Sequence, residues 1–172
     1  MYLLAFDIFE MMKLLILLIS LSFFPLQDSA EKYLNAGYDK YLEEDYKGAI
    51  LDFNKAAAYA PENAEVFYLR GVCKSASGEK KGAMADLDKA TDLKEDYADA
   101  YYEKGYIYLS DKNAELAIKE FDKVIKYNPE FAEAYVSRGT ANCMINEKEA
   151  AEKDWKKAKE LGVGYTEYMV CE

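Results

Sequence analysis

The side chains in this sequence that could do chemistry are its carboxylates and its three cysteines. The 172 residues hold 32 Asp and Glu against 22 Lys and Arg, a net charge of −10, and no histidine. Without histidine the chain lacks the usual general base near neutral pH, the commonest zinc ligand and every histidine-based triad. Paired carboxylates could still act as acid and base, but no pair stands apart from the regularly spaced acidic residues. We therefore predict a protein that is not an enzyme and needs no cofactor or metal.

The cysteines are Cys73, Cys143 and Cys171, and they form no CxxC motif or metal-like cluster. Zinc binding and thioredoxin-type chemistry are therefore unsupported. We predict that Cys73 packs in the core as a small apolar side chain. A disulfide could join Cys143 to Cys171 where the C-terminal segment folds back on the last helices.

The charge balance restricts the partners that this chain can bind. A net charge of −10 attracts basic surfaces and repels a nucleic-acid backbone. No basic cluster with interleaved aromatic residues is present, so nucleic-acid binding is not expected. We predict a protein or peptide partner.

An apolar run at residues 14–24 follows Lys13 and differs from the rest of the chain. A basic residue followed by such a run is typical of an export signal. The run falls short of the roughly 20 apolar residues of a spanning helix. We predict that residues 1–30 are an export signal or an uncleaved N-terminal anchor, with membrane contact only through residues 12–26 if uncleaved.

The acidic residues near the N-terminus suit an export signal poorly, so we expect translation to start at Met11 or Met12. The predicted location is exported, in the periplasm or associated with the cell envelope of a bacterium. N-terminal sequencing of the exported protein would test both expectations.

The rest of the chain repeats with a period of 34 residues. An internal repeat of this length indicates stacked structural units, each too small to bury its own apolar face. Five columns keep one register through four copies: Gly37, Gly71, Gly105 and Gly139; Ala49, Ala83, Ala117 and Ala151; Tyr33, Phe67, Tyr101 and Tyr135; Phe53, Leu87, Phe121 and Trp155; and Ala56, Ala90, Val124 and Ala158.

Each copy has the pattern of two helices. In the third copy, Tyr101, Gly105 and Tyr108 are spaced by four and three residues, which places them on one helix face. Ala117 and Phe121 begin the same spacing on a second helix. We expect the glycine and alanine to let the two backbones approach, with the aromatic residues filling the space beside that contact.

The order Tyr-x3-Gly, Ala-x3-Phe, Ala and Pro at this period resembles the tetratricopeptide repeat over about residues 30–164. The resemblance implies an all-α fold, a right-handed superhelical solenoid of four helix-turn-helix units. These units are expected at about residues 30–63, 64–97, 98–131 and 132–165, within a domain of residues 31–172. The closing proline is present as Pro61 and Pro129 but is replaced by Glu95 in the second unit. A short cap is expected at residues 166–172, where Tyr168 and Met169 would cover the end of the stack.

The resemblance also implies a concave groove, lined by the first helix of each unit, that binds partner segments. Tyrosine suits recognition because it offers a large contact area and a polar tip. Relatives that clamp a C-terminal carboxylate place Lys and Asn along this surface, which this chain does not. Replacing Tyr68, Tyr102 and Tyr106 with alanine is expected to weaken partner capture and leave thermal unfolding nearly unchanged. By position, the groove residues are Leu34, Tyr38, Tyr41, Tyr68, Val72, Ser75, Tyr102, Tyr106, Leu109, Val136, Thr140 and Cys143.

Charged columns also follow the repeat. We expect the acids of the second helices to form surface pairs with basic residues of the first, each contributing only ~0–1 kcal/mol. A lysine column is expected to be a solvated face. The acids are Asp52, Asp86, Glu120 and Asp154, the basic residues Arg70, Lys104 and Arg138, and the lysine column Lys55, Lys89, Lys123 and Lys157.

Two functions remain open. The chain could be a binding module that recruits a client through its groove in a cell-envelope assembly. Alternatively, it could be a structural scaffold subunit that assembles through its ends or its convex face. A groove-mutant pulldown and the single-chain mass in solution would separate them.

Overall fold

The computed structural model describes residues 29–164 without a gap, together with residues 8, 10–13, 15, 170 and 171. The predicted export segment and the predicted capping helix lie largely outside the described residues. No helix in the described part of the chain is both long enough and apolar enough to span a membrane.

Residues 29–164 contain eight consecutive helices and no strand. Each odd-numbered helix packs against the next even-numbered one, and the resulting hairpins stack in chain order. Helix α5 also touches both α3 and α7, so these first helices form one layer of the stack. The predicted all-α solenoid of helical hairpins is confirmed. The helices are α1 at 29–42, α2 Tyr46–Tyr59, α3 Ala64–Ala76, α4 Lys80–Leu93, α5 Ala98–Ser110, α6 Ala114–Tyr127, α7 Ala132–Met144 and α8 Lys148–Glu160.

The glycine column marks where the two helices of a hairpin come closest. A Cβ atom on Gly105 would lie 2.6 Å from the ring of Phe121, and one on Gly139 would lie 2.5 Å from Trp155. Both distances are shorter than packed carbon atoms tolerate, about 3.5 Å. The large residue of the second helix therefore sits directly on the glycine. The sequence had suggested instead that it would fill the space beside the contact.

The core runs from one hairpin into the next. Around Phe121, the buried cluster combines Tyr101 of α5 and Val124 of α6 with Ala134 and Ala141 of α7. Because α7 belongs to the following hairpin, the third hairpin cannot close its core alone. Stacking is therefore a condition of folding, as expected for repeats that bury apolar surface only against neighbours.

The junction without a proline has the same form as the others. Helix α4 ends at Leu93 and α5 begins at Ala98, with Glu95 in the turn between them. The proline junction after α6 has an equal gap, from Tyr127 to Ala132. Proline only forbids continuation of a helix, and here the turn forms without it.

The turns within the hairpins share a left-handed residue that sequence reasoning missed. Because only one of the four is glycine, composition carries little signal for this column. A left-handed residue at a helix C-terminus lets the chain reverse while satisfying the last carbonyl groups. The positions are Glu44 at φ 61°, Gly78 at 86°, Lys112 at 59° and Asn146 at 64°.

Candidate protein-binding groove

The inner face of the stack, formed by α1, α3, α5 and α7, carries the residues predicted to bind a partner. Two of its tyrosines are open to solvent, Tyr38 on α1 at 45% exposure and Tyr106 on α5 at 56%. Large aromatic side chains exposed on a helix face are available for contact with another molecule. These two residues are therefore the most accessible part of the predicted groove.

Tyr68 and Tyr102 are half-buried, and each is held by a neighbouring aromatic ring. The Tyr68 ring lies 5.0 Å from that of Tyr97, and the Tyr102 ring lies 4.9 Å from that of Phe131. The Tyr102 hydroxyl is also within hydrogen-bond distance of the Ser137 hydroxyl on α7, at 3.3 Å. Truncating either tyrosine removes internal contacts, so the expectation that their loss leaves unfolding unchanged does not hold for them.

Val136 does not reach the surface of the predicted groove. It is 8% exposed and packs in a cluster with Ala158 of α8 and Val163, which follows α8. The chain beyond α8 therefore covers this part of α7. The other predicted groove residues are half-buried on the same face: Leu34, Tyr41, Val72, Ser75, Leu109, Thr140 and Cys143.

The cysteines differ in surroundings. Cys143 and Cys171 lie in disulfide contact, with their Cα atoms 5.5 Å apart, within the normal range for a disulfide. Cys171 thus lies against α7, the first helix of the fourth hairpin. Cys73 is free and fully buried, which confirms its predicted core packing. Burial raises the pKa of Cys73 to about 11, so its reactive thiolate form is disfavoured.

A carboxylate that sequence reasoning missed, Glu103 on α5, lies among the groove tyrosines. Burial raises the pKa of Glu103, and the neighbouring Asp99 carboxylate raises it further. Burial also raises the pKa of Tyr68, and the Glu103 and Asp99 carboxylates add to that effect. The same carboxylate acts on Tyr41 of α1, whose pKa burial raises as well. The Glu103 carboxylate therefore acts electrostatically on tyrosines of the first and second hairpins.

The acids of the second helices are buried rather than on the surface, which corrects the sequence prediction. Asp154 is 4% exposed and accepts two bonds from Arg138, at 2.9 Å from Nε and 2.6 Å from Nη2. Arg138 also reaches Asp122 of the preceding hairpin with Nη1, at 2.6 Å. The bond to Asp154 raises the pKa of Arg138. One guanidinium thus joins three helices, α6, α7 and α8.

The same arrangement, an arginine clasp in which one guanidinium bonds a buried acid of its own hairpin and a polar side chain of the preceding hairpin, recurs two repeats earlier. Arg70 donates to both Asp86 oxygens, at 2.8 and 2.6 Å, and to Asn54 of the preceding hairpin at 2.9 Å. Lys74 adds a second ion pair to Asp86 at 2.8 Å. The residues of the preceding hairpin that take part in these contacts form a further column of period 34, which sequence reasoning missed. They are Asn54, Asp88 and Asp122.

The third hairpin uses a lysine in place of the arginine. Lys104 pairs with Asp88 at 2.7 Å and Glu120 at 3.7 Å. Burial opposes the charge on Lys104, but these two carboxylates outweigh it and raise the pKa of the lysine. In the first hairpin, which has Ala36 at this position, Lys40 bonds Asp52 from the next turn. The hydrogen bonds from Lys40 and from Lys55 lower the pKa of Asp52.

The lysine column is exposed but not free in solvent. The Lys55 ammonium lies 5.0 Å from the centre of the Tyr33 ring, and that of Lys123 lies 4.9 Å from the centre of the Tyr101 ring. Lysine over an aromatic ring gains from cation–π attraction. Lys89 lies 5.9 Å from the centre of the Phe67 ring, so the first three lysines of the column cover aromatic residues of the first helices. Lys157 instead pairs with Glu160.

Within the described part of the chain, no three His, Cys, Asp or Glu side chains are arranged to hold a metal ion. The stacked hairpins of residues 29–164 define a helical-repeat protein. Comparisons with known proteins place it more closely. The tetratricopeptide repeat family model matches residues 64–97 and 98–131. The chain belongs to the tetratricopeptide repeat family, whose members generally act as non-catalytic interaction modules that bind protein or peptide partners.

Solved structures show the same architecture. A crystal structure of MamA is 31% identical to this chain, covers 81% of each chain and has a TM-score of 0.74. MamA from Desulfovibrio magneticus RS-1, at 24% identity, covers 78% of this chain and 76% of its own with a TM-score of 0.73, a likeness of fold alone. YrrB, described as a TPR protein with an unusual peptide-binding site, is 26% identical, covers 77% of this chain and 69% of its own, and has a TM-score of 0.68. A search of curated protein sequences returned no significant match.

Proposed function

We propose that this chain is a non-catalytic binding protein that receives an extended segment of a partner protein along its inner face. The observation that carries the proposal is the exposure of Tyr38 and Tyr106, at 45% and 56%, on the face that the first helices share. An exposed tyrosine offers another molecule a large contact area and a polar tip. The peptide-binding site named for YrrB adds support from a relative of the same fold.

We also propose that the protein works in an exported, cell-envelope assembly of a bacterium. The support is the apolar run at residues 14–24 behind Lys13, a pattern typical of an export signal. Sequencing the N-terminus of the protein from its native cells tests this part. A chain that retains Met1 and stays in the cytosol would contradict it.

Photo-crosslinking from the groove tests the binding proposal. A benzophenone amino acid is placed at Tyr38 or Tyr106, and a matched control is placed at Leu51 on α2, which is 62% exposed in the outer layer. We expect both groove positions to capture the same partner, at neighbouring points of one continuous segment, and Leu51 to capture little of it.

A second variant separates binding from folding. Replacing Tyr38 and Tyr106 together with alanine is expected to abolish this capture and leave the unfolding midpoint nearly unchanged, because both side chains are exposed. Equal capture from Leu51, or capture that survives the double replacement, would favour a scaffold that assembles through its outer face and would leave the groove idle.

A further inference from the structure

Glu103 occupies a position where the other hairpins place neutral residues. The equivalent positions, at 34-residue intervals, are Asn35, Leu69 and Ser137. Leu69 and Ser137 are buried, at 8% and 9% exposure, whereas Glu103 is half-buried and Asn35 is exposed. The repeat therefore accepts an uncharged side chain here, and stacking gives no reason for a carboxylate.

The charge on Glu103 is unfavourable in the free protein. Burial raises the pKa of Glu103, and its charged neighbour is another acid, Asp99. A carboxylate retained in such surroundings often serves a functional site. In this chain it lies on the face already proposed to bind a partner.

The cations of the adjacent first helices are engaged elsewhere. Arg70 and Lys74 on α3 both pair with Asp86. Lys104 on α5 pairs with Asp88 and with Glu120. Among the ion pairs between described residues, none includes Glu103. The half-buried carboxylate is therefore left open to a cation from another molecule.

The surroundings of Glu103 suit a long cationic side chain. Asp99 and Tyr106 lie four residues before and three residues after it, which places all three on one face of α5. Tyr68 on the adjacent α3 lies against the start of α5, with its ring 5.0 Å from that of Tyr97, and both carboxylates raise its pKa. Carboxylates bind the charged head of lysine or arginine, and tyrosine rings hold the stem and add cation–π attraction. The chain uses this pairing internally, with the Lys94 ammonium 4.7 Å from the centre of the Tyr97 ring.

We propose that the inner face between α3 and α5 holds a subsite for one lysine or arginine of the partner segment, with the cation on Glu103 and Asp99 and its stem against Tyr68 and Tyr106. The inference rests on the proposed function, because it needs a segment lying in the groove. Because the subsite is acidic, charge complementarity requires a basic residue of the partner at this point. The net charge of −10 is consistent with this requirement.

The test uses the full chain and an array of twelve-residue peptides with uncharged flanks, each made with lysine, norleucine or glutamate at the central position. Peptides that bind are then measured by fluorescence anisotropy. We expect the lysine form to bind about tenfold more tightly than the norleucine form, which is the effect of one charge pair of moderate strength. Glu103→Gln should reduce this preference to about twofold or less, whereas Glu152→Gln, an exposed acid on α8, should leave it unchanged.

Thermal unfolding excludes a folding defect in the variant. Because the folded pKa of Glu103 is raised, its ionisation lowers stability as the pH rises from the ordinary range of a carboxylate through the raised value. Glu103→Gln should therefore unfold at the same or a higher temperature than the parent at pH 7, and the difference should vanish in acid.

The outcomes separate the two proposals. Equal binding of the lysine and norleucine forms, or a lysine preference that survives Glu103→Gln, would refute the cation subsite while leaving a groove that binds apolar peptides. If no peptide binds and capture from Tyr38 and Tyr106 also fails, both proposals are wrong.

Discussion

The clasp around Arg138 allows a quantitative test with a matched control in the same molecule. Replacing Arg138 with methionine keeps the apolar stem but leaves Asp154, whose side chain is 6% exposed, with the Asn142 amide at 3.2 Å. Replacing Arg70 with methionine leaves Asp86 with a full ion pair to Lys74 at 2.8 Å. The two variants therefore make the same chemical change and differ in what remains to satisfy the buried acid.

The expected magnitudes follow from that difference. An uncompensated buried charge destabilises a protein by about 3–5 kcal/mol, so we expect this loss for Arg138→Met. Arg70→Met removes hydrogen bonds to a charged group that keeps another partner. We expect this loss to cost about 1–3 kcal/mol. The additional loss of the Asp122 contact is small, ~0–1 kcal/mol, because that acid is 54% exposed.

Urea unfolding followed by far-ultraviolet circular dichroism measures these losses, with equal slopes as the sign that the unfolded states are comparable. Adding Asp154→Leu to Arg138→Met should recover most of the lost stability, because no unpaired charge remains. Equal losses for the two single variants, or no recovery in the double variant, would refute the view that the clasp works by compensating a buried acid.

Two further predictions concern packing and the C-terminus. Gly105→Ala should lower the free energy of unfolding by about 1–3 kcal/mol, because the new Cβ meets a ring at 2.6 Å. Gly71→Ala should change it by less than ~1 kcal/mol, because the Leu87 side chain at 3.0 Å can shift and alanine gains helix propensity; thermal melts that rank the two variants in the opposite order would contradict this. Alkylation and mass measurement should label only the buried thiol in denatured, unreduced protein, and should add Cys143 and Cys171 after reduction; three labelled thiols without reduction would exclude the disulfide.

The predicted groove was assigned from helix register, and register alone does not decide exposure. Tyr38 and Tyr106 share one position of the repeat and are both exposed. Tyr68 and Tyr102 share another position and are both held by neighbouring rings. The sequence placed all four on one face, but the depth of each depends on side chains from other elements.

What the sequence determined alone is the hairpin and its repetition. The contact between Gly105 and Phe121 is encoded by two residues within one unit, and its steric requirement recurs at every copy, so the 34-residue period reveals it. The junction at Glu95 was not fixed in this way, because the sequence lacks the closing proline there and only the structure shows the turn between Leu93 and Ala98.

Only the tertiary structure decided which charges are buried and what surrounds them. Arg138 bonds acids on α6 and α8 together, a pairing across hairpins that the columns alone could not assign. Nothing in the sequence distinguishes Glu103 from other acids on a helix. In the stacked structure it is partly buried near groove tyrosines, and burial raises its pKa. The physical reason is that desolvation and charge pairing depend on the atoms of neighbouring units, whereas backbone periodicity depends only on residues within each unit.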